Sequence, residues 1–562
     1  MELPFPVASS GGLLLRGPSS GMPDQRQMLG FFHVPMSWRS RLKLQYAGAA
    51  LKGSVSFFRH QEPGWPEKMT ALIKGGKERP GRPDLLMGYS ARTVPPHRQQ
   101  YPVYTSLLVI MITCTVLAGY ATAQTPGKIN TPLPQQGKNA AIDPGAPPKT
   151  RIPLTPTLSA GGRLKFEYTL EKNFDLNQAT ADDRNILNPE LSIAFFYKPS
   201  QNIHMFLNLG LGEEIKFQEG GNTTDVSAQL LISQAYLSMK KEMPGNLFSL
   251  FQQPDREGDT SILALQIGRQ RLKDEREWLF DEEMDAVRFS WGVRNALFEL
   301  SAIRKGLFDG DLLGKEEDER IHNYHLVYKR YALERRITMA AYGLIRDNKM
   351  PGGRNPLFLG LHSSGEVLND LDYWLEIARE SGKDGSMKIR GIGLDLGSSY
   401  QFDYPLKPSI ALGFAFGSGD ADPNDSIDRR FRQSGLEDNQ GKFHGVTGFK
   451  YYGELTDPEL SNLLIFTGGL GIRPTRRSSI DLVFHEYLQD KVSTKLKGWD
   501  IDAKPAGLSR RLGREIDLIT GYREIRDLDA KLILGYFIAE DAFPQDAQQN
   551  SFLVNAEIRW SF

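Results

Sequence analysis

An all-β fold, a transmembrane antiparallel β-barrel of about 16–18 strands, is what this sequence of 562 residues predicts. Three observations lead there. Segments of roughly 8–14 residues in which every second residue is apolar recur along the chain from Arg163. Short turns alternate with longer polar connections. The chain stops on Phe562, the last apolar position of an alternating segment. Successive side chains of a strand face opposite sides, whereas a helix would mix the two sets.

Residues 1–86 hold scattered Gly, Pro and Arg and no sustained period of 2 or 3.6. Leu107 to Leu117 (LLVIMITCTVL) is an apolar run of 11 residues, too short for the ~20 that a spanning helix needs. Arg92 and Arg98 precede it, and Ala121-Thr122-Ala123 follows, with small residues at the two positions a signal peptidase reads. Together these make a secretory signal over 87–123, cleaved near Ala123. Signals open a chain, so Met87, or alternatively Met69, is the expected start and 1–86 a mis-assigned upstream extension. N-terminal sequencing of the exported protein should read Gln124 onward; a mature chain retaining 1–86 would overturn this. Gln124 to Gly162 carries eight prolines among Gln, Asn, Thr and Gly. It cannot bury a core and reads as a disordered periplasmic leader over 124–162.

The barrel is expected over 163–562. Leu164, Phe166, Tyr168 and Leu170 alternate with Arg163, Lys165, Glu167 and Thr169. Similar stripes are Leu191, Ile193, Phe195 and Tyr197; Val287, Phe289 and Trp291; Phe298, Leu300 and Ala302; Ile410, Leu412, Phe414 and Phe416; and Ile480, Leu482 and Phe484. Lys198 to Gln201 and Gly292-Val293-Arg294 read as short periplasmic turns, and Ser418 to about Pro458 as the longest extracellular loop. The last segment alternates Phe552, Val554, Ala556, Ile558, Trp560 and Phe562 with polar partners. A terminal strand of that kind is expected to engage the bacterial barrel-assembly machinery through Phe562. In a bilayer the sheet must close, because an open edge would leave peptide groups unpaired in hydrocarbon.

Composition narrows the alternatives. Hydrophobic residues at 40% and charged residues at 24% are wrong for a bundle of membrane helices but suit a barrel with a polar lumen. The zero formal charge hides an asymmetry: residues 1–123 hold 14 Lys/Arg and 6 Asp/Glu, leaving 54 and 62 in the remainder, a net of −8. An acidic mature chain argues against nucleic acid as partner, and any path for a polyanion must rest on local arginines and not on bulk charge. The single cysteine, Cys114, lies in the discarded signal and excludes a disulfide framework.

Two stretches carry more than alternation. One runs from Gly268 through Arg269-Gln270-Arg271-Leu272-Lys273-Asp274-Glu275-Arg276-Glu277-Trp278-Leu279-Phe280-Asp281 to Met284-Asp285-Ala286-Val287-Arg288-Phe289. The other joins Phe431-Arg432-Gln433-Ser434-Gly435-Leu436-Glu437-Asp438-Asn439 with Tyr451-Tyr452-Gly453-Glu454 and Pro458 to Leu463. Both resemble the alginate-export family of outer-membrane porins, over about Arg163 to Phe562. The resemblance implies a monomeric barrel of about 18 strands in the outer membrane of a Gram-negative bacterium. It also implies an arginine-rich constriction that guides an anionic polysaccharide, and periplasmic export partners.

Arginine suits such a path because its planar fork pairs with carboxylates and stays charged. Carriage also needs weak, repeated contacts. Strand parity sets Arg163, Lys165, Arg288, Arg336, Arg346 and Arg559 on the polar face, with Glu167, Glu299, Glu376, Asp395, Asp517 and Glu557. Arg276 and Arg432, in the family-like stretches, are either lumenal or loop salt bridges. Arg269 and Arg271 share parity with Leu263, Leu265 and Ile267, so either the strand ends near Gly268 or a bulge flips the register.

A general or uptake porin for small anionic solutes would use the same strands and arginines. An outer-membrane barrel enzyme acting on lipid or glycan is a rival class, as is an adhesive protein working through the long loop. Asp281-Glu282-Glu283 reads as a solvated turn, and His485 has no evident serine partner nearby. No catalytic residue, metal cluster or cofactor is therefore expected.

Overall fold

A computed structural model describes residues 150–180, 182–217, 223–244, 260–307, 310–314 and 321–562. The expected signal, the upstream extension and Cys114 lie outside the described residues.

Eighteen strands run up and down in sequence order. They are β1 (Leu158–Lys172), β2 (Arg184–Tyr197), β3 (Ile203–Phe217), β4 (Thr223–Pro244), β5 (Thr260–Lys273) and β6 (Asp281–Val293). Then come β7 (Ala296–Arg304), β8 (Ile321–Ala332), β9 (Ile337–Asn348), β10 (Arg354–Leu368), β11 (Leu371–Asp384) and β12 (Met387–Gln401). The series ends with β13 (Ser409–Gly417), β14 (Leu463–Thr475), β15 (Ser478–Gln489), β16 (Arg511–Tyr522), β17 (Leu528–Ala539) and β18 (Ser551–Ser561). Each pairs antiparallel with its sequence neighbours, and β18 closes on β1 from Arg163↔Ser561 to Lys172↔Phe552. Two backbone bonds between Gly162 and Phe562, 2.9 and 3.0 Å, finish the seam. Closure satisfies the edge groups that hydrocarbon could not.

Alternation sorts the side chains. Phe166, Tyr168, Val287, Phe289, Leu300, Leu412, Leu482 and Ile558 are exposed on the outer wall. Glu299, Glu376, Asp395, Asp517 and Glu557 are buried on the inner one. Strands range from 9 to 22 residues, longer than the alternation alone suggested, because ladder pairing continues past the bilayer, where alternation is no longer enforced. β1 likewise starts at Leu158, ahead of Arg163, with Ala160-Gly161-Gly162 held by pairing to β2.

Three readings need correction. The turn after β6 is Arg294–Asn295; Gly292 and Val293 are still strand, paired to Leu297 and Ala296. Asp281-Glu282-Glu283 is the first part of β6, laddered onto Lys273, Leu272 and Arg271. Arg269 and Arg271 keep their outward parity, because the β5–β6 register runs unbroken from Ile262↔Gly292 to Lys273↔Asp281. Arg271 binds Asp281 on the neighbouring strand.

The rim holding the β6–β7, β8–β9, β10–β11 and β14–β15 connections has mostly short turns and is the periplasmic one. The opposite rim carries 418–462, between β13 and β14.

Candidate functional site

The residues between β5 and β6 form a turn built on one carboxylate. Asp274 accepts from the backbone N–H groups of Arg276 (3.0 Å), Trp278 (3.0 Å), Leu279 (2.7 Å) and Phe280 (3.0 Å). The turn points inward. Trp278 is wholly enclosed, donates to the Tyr452 hydroxyl at 2.8 Å and stacks on Phe431 with ring centroids 5.6 Å apart.

Phe431 and Tyr452 belong to 418–462, which folds into the barrel instead of standing above it. Gln433 donates to the Trp278 carbonyl at 2.6 Å. Asp281 N–H bonds the Leu436 carbonyl at 2.6 Å, and Asp438 and Asn439 N–H groups share the Glu277 carbonyl, each at 3.1 Å. The two family-like stretches, about 150 residues apart in sequence, are thus one interlocked unit.

Arg276 pins this unit to the wall. Its guanidinium lies 4.6 Å from the Trp374 ring and 4.2 Å from the Tyr451 ring, and it bonds Asp395 of β12 at 3.1 Å. Trp374 of β11 donates to the same carboxylate at 2.9 Å. On the other side Glu515 of β16 accepts from Leu455 N–H (2.7 Å), Thr456 N–H (3.2 Å) and the Thr456 hydroxyl (2.7 Å). Tyr487 of β15 donates to the Tyr452 carbonyl at 2.7 Å. The β5–β6 turn that the segment grips arises about half the circumference away from β15 and β16, so the segment reaches across the lumen.

The wall is shaped to receive it. A Cβ on Gly391 would sit 2.6 Å from Phe431 Cα, and one on Gly393 would sit 2.5 Å from the Phe431 ring. A Cβ on Gly397 would sit 2.2 Å from the Trp374 ring, so this glycine lets the β11 indole lie where Phe443 of the segment stacks on it at 5.6 Å. Ala411 and Ala415 continue this small-residue surface on β13. Where the turn meets β7–β11, the remaining cavity among Glu275, Glu299, His325, Lys329, His362 and Glu376 has about 30 Å³, room for roughly one water.

Within the segment, burial pushes Glu454 up to about 7. Burial and the neighbouring Glu459 push Glu437 up to about 8. Burial works against the Lys450 ammonium, but Asp457 and Asp438, at 2.7 and 2.6 Å, outweigh it and hold the lysine well above its usual range. Glu277, Asp281 and Asp438 converge within 4.8 Å, and each has a basic partner: Lys273, Arg271 and Lys450.

The sequence-selected residues fall into three groups. Arg163, Lys165, Glu167, Glu557 and Arg559 share the inner wall of β18 and β1 toward the periplasmic end. Glu190 of β2 joins them, binding Arg163 at 3.4 Å and Lys165 at 3.1 Å, while Arg559 binds Glu557 at 2.6 Å. Arg276, Arg288, Arg346, Arg432, Glu299, Glu376, Asp395 and Asp517 are enclosed around the inserted unit. Arg288 binds Glu299 at 2.5 Å; Arg346 donates to the Ser434 carbonyl; Arg432 binds Asp428 at 3.2 Å; Asp517 accepts from Glu454 N–H at 3.3 Å. Arg336 stands apart, a correction to its parity reading: it lies in the β8–β9 turn, 3.3 Å from Glu366. His485 is fully buried, 3.0 Å from the Thr467 hydroxyl.

Sequence reading missed Lys442, Arg473, Arg523 and Lys531 near the periplasmic mouth. Lys442 feels Arg523, Asp529 and Arg473, and Arg523 binds Asp529 at 3.4 Å. Arg473 and Arg523 sit at strand ends, where alternation gives no clue to which strands come together.

The sequence model of the family described as "Alginate export" matches residues 157–556. The "Alginate production protein AlgE" of Azotobacter vinelandii is 24% identical over 330 residues, covering 49% of this chain and 66% of that protein. The match thus spans just under two thirds of that relative's length. Among solved structures, the outer membrane protein OprD of Pseudomonas aeruginosa aligns with a TM-score of 0.44 at 10% identity, covering 72% of this chain and 93% of that one. OccK2 (OpdF) of the same organism gives 0.46 at 9% identity, over 72% and 98%.

Proposed function

This chain belongs to the alginate-export family, and from that premise we propose that its barrel is an outer-membrane channel for passive passage of an anionic polysaccharide, an alginate-like polyuronate. One observation carries the reading beyond the family. Toward the periplasmic end, Arg163, Lys165, Lys442, Arg473, Arg523, Lys531 and Arg559 lie on or against the inner wall, interspersed with Glu167, Glu190, Glu366, Asp372, Asp481, Asp529 and Glu557. Arg163 and Arg559 keep 42% and 33% of their side chains exposed. Half-neutralised cations of this kind hold a passing carboxylate weakly and release it to the next.

Export follows the secretory signal over 87–123, and folding the barrel-assembly machinery, engaged by the β18 end at Phe562; the channel is monomeric. The cations enclosed around 418–462 are already paired, so in this conformation they act on the segment. Passage therefore begins when the segment yields, after which Arg276, Arg288, Arg346 and Arg432 face the path.

Planar-bilayer conductance tests this. Polyuronate should block the current where a neutral glycan of equal length does not. Arg163→Gln with Arg559→Gln should raise the half-blocking concentration about threefold to tenfold. Equal block by neutral glycan would reject the polyanion reading. Block by small anions alone would favour an uptake porin.

A further inference from the structure

The outer wall carries a charged patch that the lumen does not explain. On β11 the outward positions run Leu375, Ile377, Arg379, Ser381 and Lys383, and on β12 Lys388, Arg390, Ile392, Leu394 and Leu396. Their inward neighbours Glu376, Ala378, Glu380, Ile389 and Asp395 are buried, which fixes the parity. The register sets Lys383 directly opposite Lys388, Ser381 opposite Arg390 and Arg379 opposite Ile392. Four exposed cations thus share one face of two adjacent strands.

Like charges directly opposed across a ladder destabilise it. At other strand ends on this rim cations are matched: Lys172 to Asp183 at 3.2 Å, Lys349 to Asp347 at 2.6 Å, Arg511 to Glu540 at 2.7 Å. None of Arg379, Lys383, Lys388 and Arg390 has a side-chain hydrogen bond or ion pair among the described residues. Asp425, whose carboxylate feels Arg390, is itself held by Arg429 at 2.7 Å.

The height of the patch identifies what it meets. From Phe402 to Ile392 the wall is apolar or aromatic at most outward positions. Ten residues at ~3.3 Å rise and ~40° tilt span about 25 Å, the height of a barrel's apolar band. Arg390 and Arg379 therefore stand just above the hydrocarbon at the extracellular face, with Lys383 and Lys388 above them, at the level of lipid headgroups.

We propose that β11 and β12 form a binding site for the phosphorylated glycolipid of the outer leaflet, whose phosphates neutralise Arg379, Lys383, Lys388 and Arg390 while its acyl chains lie on Ile377, Ile392 and Leu394. Arg forks pair with phosphate oxygens bidentately, and basic clusters beside an apolar span recognise anionic headgroups.

The test uses the full-length protein, folded in detergent micelles and presented with lipid A by native mass spectrometry. Wild type should hold bisphosphorylated lipid A. The R379Q/K383Q/K388Q/R390Q variant should hold it about tenfold more weakly, and dephosphorylated lipid A should bind both equally poorly. Removing opposed charges should leave folding intact, read by heat-modifiable gel mobility; K383Q/K388Q alone, with an intermediate loss, serves should the fourfold variant misfold. Undiminished lipid binding by the variants overturns the proposal. So does displacement of the lipid by inorganic phosphate or by polyuronate at matched charge, which would make the patch a general anion or polymer site.

Discussion

At the residue scale, Arg276 shows how a charged side chain can belong to a channel without being free to serve it. Two aromatic faces and one carboxylate enclose it, and Asp395 has Trp374 as its other partner. Removing one member of a buried pair strands the other, at about 3–5 kcal/mol. Arg276→Ala should therefore loosen the inserted segment by that order, read as faster protease cleavage within 418–462 while the barrel stays intact. Arg276→Ala combined with Asp395→Asn should recover part of the protection. Equal cleavage in wild type and R276A would show that the pin is idle. Parity made Arg288, Glu299, Glu376 and Asp395 legible as inward-facing, because one strand alone decides that. It could not give Arg276 its partners, which come from two other strands and from residues some 175 positions on.

At the element scale, 418–462 was legible as a long polar connection, but not as an insert. The signal was present in the strands that receive it: Gly391 and Gly393 leave the room that Phe431 fills, and Ala411 and Ala415 are small and buried on the neighbouring strand. The insert also carries a pH dependence. Burial raises Glu454 to about 7 and, with Glu459, Glu437 to about 8. Glu437 faces Glu459 and the Gly435 and Leu436 N–H groups, Glu459 faces Arg346, Arg354, Arg432 and Lys497, and burial with Asp457 raises Asp500 to about 7. A carboxyl whose pKa is higher when docked binds more protons docked than released, so docking weakens as pH rises through that range. Conductance should accordingly rise between pH 6 and pH 9, and Glu437→Gln should flatten the rise. A conductance independent of pH, or falling over that interval, would contradict this.

At the scale of the whole molecule, the fold was the most legible level. Closure, membrane placement and strand direction all follow from alternation, from the pattern of turns and from the strand ending at Phe562. Exact strand limits were less so, because β4 and β10 extend where no bilayer enforces the pattern. The charge of the whole chain proved a poor guide. Residues 124–562 carry a net of −8, yet Arg163, Lys165, Arg473, Arg523, Lys531 and Arg559 stand among the carboxylates of the periplasmic mouth, and what a passing polymer meets is the local wall.

The decisive question is whether the insert must move for polymer to pass. A Cβ on Gly535 of β17 would lie 3.1 Å from Leu455 Cβ, short of the ~3.5–4.5 Å that a disulfide bridges, so a small outward shift of the segment brings the pair into range. Gly535→Cys with Leu455→Cys therefore ties the segment to the wall in a mature chain expected to hold no other cysteine. Passage of polyuronate across proteoliposomes should be lost in the oxidised variant and restored by reductant. Equal passage in both states would mean that the polymer travels beside a segment that never yields.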